Sequence, residues 1–458
     1  MQLAMATETT GRQETAPRTL VVGLGVSGLA TARYLAARGV PLAVTDSRER
    51  PPGLEELRRE LPDVALFAGA FDPQAFSAAE RLVVSPGIAL GTPIIQEAIA
   101  RGAEVIGDVE LFLREAKAPV IAITGSNGKS TVTTLLGEMA LAAGIRAGVG
   151  GNLGKPVLEL LEDAAELYIL ELSSFQLETT HSLKAQAAVI LNLCEDHMDR
   201  YDSFSDYVAA KRVVYHNAAN AVINLDDELA TAQADEVTNR IGFCLHAPHG
   251  DDYGICMHQG ADWLCKGERL LMPASELLVA GGHNRANVLA ALALGEAAGI
   301  PLEPMLQAAR RFRGLVHRTQ FVAEIDGVRW YNDSKGTNIG ACIAALEGLH
   351  THDGALTVLI AGGDCKGADF AELAEVLPRY VRTLVLIGRD APKIARATAG
   401  VVETRMADDL RDAVRKCRVC AMPGDRVLLS PACASFDMFE NYLDRGEQFM
   451  RAVRSLQS

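Results

Sequence analysis

Short runs of β-branched and apolar residues recur along the chain, and most are separated by longer segments in which apolar residues follow helical spacing. Each short run that ends at a glycine or a polar turn is a predicted strand. These strands are the run beginning at Thr19 and the segments 41–45, 81–84, 120–124, 167–172, 187–193, 328–331, 356–360, 383–387 and 427–429. Strands that alternate with helices favour parallel sheets with right-handed crossovers, and hence an α/β fold.

One segment departs from this alternation. Residues 244–272 contain short alternating runs and turn residues, which predict a small antiparallel patch. A chain of 458 residues suggests about three domains. We predict a Rossmann-like domain over 19–107, a central P-loop ATPase-type parallel sheet with the antiparallel patch over 108–314, and a Rossmann-like C-terminal domain over 315–458. The polar residues 1–18 are expected to be disordered or frayed.

The segment Val120–Thr131 reads VIAITGSNGKST, which predicts a strand, a glycine loop and the start of a helix. Such a junction suits a polyphosphate, because backbone N–H groups point at the anion and glycines let the chain approach it. In the phosphate-loop pattern Lys129 reaches the terminal phosphates and Ser130 ligates Mg²⁺. The glycine spacing is two residues shorter than the standard form, and a turn before a surface helix is the alternative. The apolar strand upstream favours phosphate binding.

A second glycine pattern lies near the start of the chain. Gly23, Gly25 and Gly28 form GxGxxG before an Ala-rich helix over 29–38, and Asp46 ends the following strand. This arrangement is typical of a dinucleotide-binding unit, in which the glycines cradle a pyrophosphate and the carboxylate bonds a ribose or base. Alone it is weak evidence for NAD, since UDP also carries a pyrophosphate.

Polar clusters follow several other strands. Residues 195–200, EDHMDR, include His197, and Glu171 ends the neighbouring strand, so a cation site or a helix-capping turn is indicated. Lys211 considered alone is a solvated helix charge. Asn284 and Asn287 share one helix face and could cap that helix or contact a nucleotide base. A structural salt bridge is the alternative to a ligand role for Arg318 and Asp333.

Composition excludes several classes of protein. Lys and Arg number 44 against 58 Asp and Glu, the net charge is −14, and no basic stripe is offered to nucleic acid. The sequence contains no stretch of about 20 apolar residues, so no membrane-spanning segment is predicted. The nine cysteines show no zinc spacing, and although Cys417 and Cys420 form a CxxC, we expect free thiols in a reducing cytoplasm. A soluble, cytoplasmic protein follows.

Taken in order, the motifs resemble those of one family. GSNGKST, ELSSFQLE, EDHMDRY with a downstream lysine, GGHNRAN, HR, NDSKGTN and SPACASFD together resemble the Mur ligases, from about Leu20 onward. The resemblance implies an ATP-dependent, ADP-forming ligase of peptidoglycan precursor synthesis that joins D-glutamate to UDP-N-acetylmuramoyl-L-alanine through an acyl phosphate. A monomer is expected.

The resemblance also implies roles for individual residues. Lys129, Glu171, His197 and Lys211 fall at catalytic positions; Ser130, Glu171, His197 and Lys211 at the ligands of two Mg²⁺ ions, with Lys211 carbamylated. ATP-binding positions are Gly125, Ser126, Asn127, Gly128, Lys129, Ser130, Thr131, Asn284, Asn287, Arg318 and Asp333. Positions for the UDP substrate are Ser27, Asp46, Ser47, Ser85 and Asn152, and those for the amino acid are Thr337, Lys366, Ser435 and Phe436.

Three alternatives remain open at this point. A sister Mur ligase could add a different amino acid, an oxidoreductase could use the GxGxxG, and a non-catalytic nucleotide-binding module could use the phosphate loop. The oxidoreductase leaves Lys129, Glu171 and His197 unexplained, and the module leaves His197 and Lys211 unexplained. Two departures from the family pattern are the segment 1–18 and Gly336, where SKG replaces the expected SKA.

Overall fold

The computed structural model describes residues 18–162, 164–279, 281–350 and 354–457. The segment predicted to be frayed, 1–18, therefore lies outside the described residues except for Arg18, whose backbone N–H donates to the Glu80 carboxylate at 3.0 Å. The described residues divide into two compact units. One holds the residues up to Glu115 with Pro156–Glu162 and Thr179–Ser182, and the other holds the rest.

The first unit is built on a parallel five-stranded sheet of order β3-β2-β1-β4-β5. Its strands are β1 (Thr19–Val22), β2 (Leu42–Asp46), β3 (Ala65–Ala68), β4 (Arg81–Val84) and β5 (Glu104–Ile106). Its helices are α1 (Val26–Ala37), α2 (Leu54–Glu60), α3 (Pro73–Ala78), α4 (Pro93–Ala100) and α5 (Asp108–Glu115). All four residues of β1, TLVV, are buried, as expected for a central parallel strand covered on both faces.

The second unit contains two sheets, of which the larger has nine strands in the order β14-β13-β12-β11-β10-β9-β6-β8-β7. Its strands are β6 (Val120–Thr124), β7 (Ala147–Gly151), β8 (Leu167–Glu171), β9 (Ala187–Ile190), β10 (Ala221–Asn224), β11 (Arg240–Phe243), β12 (Tyr253–His258), β13 (Ala261–Lys266) and β14 (Arg269–Pro273). The accompanying helices are α6 (Lys129–Ala142), α7 (Ser174–Leu177), α8 (Phe204–Arg212), α9 (Glu228–Ala232), α10 (Gly282–Ala297) and α11 (Leu302–Arg311).

Strand β6 lies between β8 and β9, parallel to both, and all five of its residues are buried. The core beside it is formed by α6, α10 and α11, with Leu135, Leu289 and Met305 each at most 1% exposed. Since the carboxyl ends of parallel strands meet at one sheet edge, Gly125, Glu171 and the residues after β9 share that edge. Strands β12, β13 and β14 pair antiparallel, which confirms the predicted patch.

The smaller sheet of the second unit has six strands in the order β15-β16-β20-β17-β18-β19. The strands are β15 (Gln320–Ile325), β16 (Val328–Asn332), β17 (Thr357–Gly362), β18 (Val381–Ile387), β19 (Glu403–Met406) and β20 (Arg426–Leu429). The helices are α12 (Ile339–Leu349), α13 (Ala371–Tyr380), α14 (Ala391–Ala397), α15 (Leu410–Cys420) and α16 (Tyr442–Arg454). Their apolar faces form one core on each side of the sheet.

The α/β fold with three sheets and one antiparallel patch agrees with the sequence prediction. Strand β15 was not among the predicted strands, and at the edge of the C-terminal sheet it forms an antiparallel hairpin with β16 through Asp326 and Gly327, both with positive φ. The sequence of β15 gave little strand signal, because its hydrophobic run is short and mixed with polar residues. No described helix is both long and apolar enough to span a membrane.

The expectation that every cysteine is a free thiol was also wrong. Cys256 on β12 and Cys265 on β13 form a disulfide, whereas the other seven cysteines are free. Cys265 pairs with Gly254 in this hairpin, so the two cysteines lie diagonally across adjacent strands. That proximity depends on strand register, which cysteine spacing alone does not encode.

Candidate active site

Two glycines with positive φ determine the backbone path of the loop between β6 and α6. Gly125 has φ 146° and Gly128, the N-cap residue of α6, has φ 85°. A Cβ on Gly128 would lie 2.4 Å from Oδ1 of Asn287 on α10. Glycine is therefore required both by the backbone and by the neighbouring side chain, and the N–H groups at the start of the 14-residue helix α6 are left to face a ligand.

Two lysines converge on one carbonyl of this loop. Lys129 Nζ donates to Gly125 O at 2.8 Å and Lys211 Nζ donates to the same oxygen at 2.9 Å. Lys211 is only 2% exposed and lies 4.6 Å from the centre of the Tyr207 ring. Burial, together with the charge of Lys129, holds the pKa of the Lys211 ammonium well below its usual value, and burial also lowers the pKa of Lys129. The interpretation of Lys211 as a solvated helix charge is wrong.

Glu171, the last residue of β8, faces the same loop. Its Oε1 accepts a hydrogen bond from Asn152 Nδ2 at 2.7 Å. Its Oε2 is buried and has no hydrogen-bond partner among the described residues. A buried carboxylate oxygen without a donor is costly unless a cation or a ligand donor completes it, so this atom marks a binding position.

His197 follows β9 on a backbone with φ 59°. Its Nε2 lies 3.7 Å from Asp196 Oδ2, and its ring packs edge-on against Phe175 at 4.9 Å between centres. Burial lowers the pKa of His197, which favours the neutral imidazole that binds metals. The predicted alternative, a helix-capping turn, does not describe this segment, because Ser203 caps α8.

A cavity of about 270 Å³ brings most of the predicted catalytic residues together. Predicted residues that line it are Ser126, Asn127, Gly128, Lys129, Ser130, Asn152, Glu171, His197, Lys211, Arg318, Thr337 and Lys366. They come from the edges of both sheets of the second unit. We call this the phosphate cavity.

A second cavity, of about 300 Å³, shares Asn127, Gly128, Arg318 and Lys335 with the first. It is also lined by Thr131, Asn284, Asn287 and Asp333, together with apolar groups such as Leu191 and Phe243. Helix α10 begins after its N-cap residue Gly281, and Asn284 and Asn287 of its first two turns both line this cavity. We call this apolar-walled space the adjoining cavity.

Arg318 and Asp333 form no ion pair within the described chain, so the structural salt bridge is also wrong. Arg318 Nη2 donates to Ser130 Oγ at 2.8 Å, across the two sheets of the unit. Asp333 accepts from Ser430 Oγ at 2.7 Å and from the Thr319 backbone N–H at 3.0 Å. Burial raises the pKa of Asp333 to about 6.

The four residues predicted for the amino acid do not all meet in one cavity. Thr337 and Lys366 line the phosphate cavity, and Lys366 has φ 47°. Ser435 is buried and Phe436 is 71% exposed, and neither is among the described lining residues of either cavity. Thr337 follows β16, Lys366 follows β17, and Ser435 and Phe436 follow β20, which pairs with both of the other strands.

The remaining predicted residues lie in the first unit, around its glycine turn. Asp46 is fully buried, and its carboxylate accepts from the Leu24 backbone N–H at 2.7 Å and from Arg48. Ser85 Oγ donates to Gly23 O at 3.0 Å. Ser27 hydrogen-bonds Asp108, and Ser47 is exposed. Asp46 and Ser85 thus brace the turn, and a Cβ on Gly28 would lie 1.8 Å from Gly23 O.

Sequence reasoning missed seven described residues that line the phosphate cavity: Ser173, Ser174, Phe175, Asp196, Tyr207, Lys335 and Asn338. Tyr207 OH lies 2.8 Å from Ser126 Oγ, and Asn338 Nδ2 donates to Asp196 Oδ2 at 3.2 Å. Burial lowers the pKa of Lys335 to about 8. Six of the seven stand inside the quoted motifs, and Tyr207 lies four residues before Lys211, so these positions were the available signal.

Family models match the chain in three segments. Residues 17–107 match the model described as Mur ligase MurD-like, N-terminal domain; residues 123–295 match Mur ligase middle domain; and residues 317–433 match Mur ligase, glutamate ligase domain.

Named relatives agree over nearly the full length. A UDP-N-acetylmuramoylalanine--D-glutamate ligase of Marinobacter nauticus is 54% identical over 439 residues, 96% of this chain and 98% of that protein. Its namesake in Pseudomonas fluorescens is 52% identical over 437 residues, 95% of this chain and 98% of that protein. The solved UDP-N-acetylmuramate-alanine ligase of Thermotoga maritima has a TM-score of 0.60 at 18% identity, covering 96% of this chain and all of that one, which is a likeness of fold.

Proposed function

The chain belongs to the Mur ligase family, and we infer that it is an ATP-dependent, ADP-forming ligase that joins D-glutamate to UDP-N-acetylmuramoyl-L-alanine in cytoplasmic peptidoglycan precursor synthesis. The observation that supports this chemistry is the phosphate cavity, in which the glycine loop, a buried carboxylate, an imidazole and four lysines meet. An oxidoreductase or a non-catalytic module would need no such set.

The reaction has two steps. The carboxylate of the muramoyl substrate attacks the γ-phosphorus of ATP and ADP leaves, giving an acyl phosphate. The amine of D-glutamate then attacks the acyl carbon, and the tetrahedral intermediate expels phosphate. Both reactants of the first step are anions, so the site must supply positive charge where they meet. Lys129 and the N-terminus of α6 supply part of it.

Mg²⁺ fits the residues present. The buried Oε2 of Glu171 has no donor in the described chain, Ser130 Oγ is within the same cavity, and oxygen ligands are those that Mg²⁺ prefers. Ser130 and Glu171 would hold one ion, and His197 with modified Lys211 would hold the second. When bound, the ions would screen the charge between the carboxylate and the γ-phosphate.

Lys211 suits carbamylation. Formation of a carbamate joins a neutral amine to CO₂ with release of one proton, and the buried Lys211 amine next to Lys129 disfavours the ammonium. Both lysines donate to Gly125 O. Carbamylation would give Lys211 a negative charge in place of a second positive charge beside Lys129. An anionic oxygen at this position would complement Lys129 and the metal.

ATP would place its phosphates on the loop and its base in the adjoining cavity. There Asn284 and Asn287 offer amides and Leu191 with Phe243 offers apolar walls. Arg318 bridges to Ser130, so it is positioned to contact a phosphate, and Asp333 would accept from a ribose hydroxyl.

The other two substrates would use the remaining predicted residues. Lys366 offers a cation and Thr337 a hydroxyl to the amino acid, with Ser435 and Phe436 on the neighbouring loop. Ser27, Asp46, Ser47, Ser85 and Asn152 are proposed for the UDP substrate, with Asp46 acting through the turn that it braces. We also propose the domain boundaries 19–107, 108–314 and 315–458, and a monomer.

An assay of phosphate release from ATP tests this function. Release should require both UDP-N-acetylmuramoyl-L-alanine and D-glutamate, and omission of either should abolish it. L-Alanine, L-lysine and meso-diaminopimelate serve as competing amines, because a sister ligase would use one of them. Equal turnover with any of these three would refute the D-glutamate assignment.

A further inference from the structure

Two thiols face each other beside the proposed amino-acid site. Cys365 follows β17 and Cys433 follows β20, and their Sγ atoms are 2.9 Å apart. Both residues are buried, at 5% and 1% exposure. They are distinct from the disulfide on β12 and β13.

Backbone pairing explains this proximity. The Asp364 N–H donates to Ala434 O at 3.0 Å and the Ala434 N–H donates to Asp364 O at 2.9 Å, which makes an antiparallel bridge. The next residues, Cys365 and Cys433, are therefore directly opposite at a non-hydrogen-bonded position. Cα atoms in such pairs are about 4.5 Å apart, inside the range that a disulfide spans.

The pair joins two loops that carry proposed amino-acid ligands. Lys366 directly follows Cys365, and Ser435 lies two residues after Cys433. Arg445, fully buried, donates to Cys433 O at 3.2 Å and to Ser334 O at 2.8 Å, which ties one loop to α16. A bond between Cys365 and Cys433 would therefore tether the loops that carry Lys366 and Ser435 to each other.

We propose that Cys365 and Cys433 are a redox modification site, and that their oxidation to a disulfide weakens binding of the incoming amino acid. The consequence for the amino acid rests on the proposed function, whereas the disulfide does not. A peroxide serves as oxidant: one thiol gives up its proton as its sulfur attacks a peroxide oxygen, and the leaving hydroxide takes up that proton, which yields a sulfenic acid and water. The second thiol displaces the sulfenic oxygen as water, so that two thiols and one H₂O₂ give one disulfide and two H₂O.

Disulfide formation requires a small displacement of the two sulfur atoms, which we expect to be sufficient to weaken binding of the amino acid. A disulfide holds its sulfurs at about 2.05 Å, so the present 2.9 Å separation must close by about 0.9 Å. Misplacement of a binding group by about 1 Å costs up to about 10²-fold in rate, and we expect a rise in KM for the amino acid on the order of tenfold. Disulfides of reducing compartments are typically transient and regulatory, which fits this pair.

The test uses the full-length protein treated with hydrogen peroxide. Two of its seven free thiols should be lost, and a tryptic digest should link the peptides 336–366 and 427–445. KM for D-glutamate should rise, KM for ATP should stay unchanged, and a thiol reductant should reverse both the link and the KM change. Because the first peptide also contains Cys342, the control variant is Cys342→Ala, which should still form the link.

Cys365→Ala and Cys433→Ala should form no link and should keep their KM for D-glutamate after peroxide. A link that persists in Cys365→Ala, or no link in the wild type, would overturn the site. A link without a change in KM for D-glutamate would overturn its effect on binding. If the reduced protein had no ligase activity, the proposed function would fail, and the thiol count would still decide whether the pair oxidises.

Discussion

Gly128 gives the sharpest test of the phosphate-loop geometry. Substitution Gly128→Ala forces an L-residue to φ 85°, in the left-handed region, which costs about 1–2 kcal/mol. The new Cβ would also lie 2.4 Å from Asn287 Oδ1, and crowding of a packed site adds about 1–3 kcal/mol. Gly128→Ala should therefore lower the free energy of unfolding by about 2–5 kcal/mol. The part of this loss above the backbone cost comes from crowding against Asn287.

The same helix supplies a matched control. Gly144, just after the C-terminus of α6, has φ 76°, and a Cβ there would meet nothing within 4 Å. Gly144→Ala should therefore show only the backbone cost. At about 2–4 °C per kcal/mol, Gly128→Ala should unfold several degrees below Gly144→Ala in a thermal scan. Its affinity for ATP, measured by calorimetry, should fall at least tenfold, while Gly144→Ala binds ATP as the wild type does.

A double-mutant cycle separates the two contributions. Asn287→Ala removes the atom that the new Cβ would meet, so it should reduce the stability cost of Gly128→Ala towards that of Gly144→Ala. Equal unfolding temperatures and equal ATP affinities for Gly128→Ala and Gly144→Ala would refute the close approach between the loop and α10.

Three further predictions concern charge. Lys129→Ala should lower kcat by about 10² or more, because it removes positive charge where two anions meet, and exposed Lys184→Ala should stay near wild type; near-wild-type turnover of Lys129→Ala would contradict its role. Lys211→Ala should lose activity and regain part of it with formate or acetate, whereas Lys129→Ala should not be rescued; absence of rescue at every concentration would count against the carbamate. Asp333 has a folded pKa of about 6 against 3.8, so its contribution to stability is present below pH 3.8 and is lost as pH rises through 6. Between pH 5 and pH 8, deprotonation of Asp333 should lower the free energy of unfolding by about 1.4 kcal/mol. The unfolding temperature of the wild type should therefore fall more over this range than that of Asp333→Asn. An equal fall in both proteins would disprove the prediction.

Most strands, the glycine loops and the order of the motifs could be predicted from the sequence, because these depend on residues that are neighbours along the chain. The apolar run at Val120 and the glycines after it specify a strand and a turn wherever the rest of the chain lies. Ordered motifs also identified the family, since their combination is far more specific than any one of them.

Tertiary structure decided which groups meet. Lys211 reaches Gly125 O from 86 positions away, and Arg318 reaches Ser130 from 188 positions away. The buried oxygen of Glu171, which has no hydrogen-bond partner among the described residues, carries no local sequence signal either. The same holds for cysteine pairing: strand register brings Cys256 to Cys265, and a bridge between two loops brings Cys365 to Cys433. Hydrophobic pattern fixes which face of a strand is buried, but burial and charge at a site arise only when separate strand ends reach the same edge of a sheet.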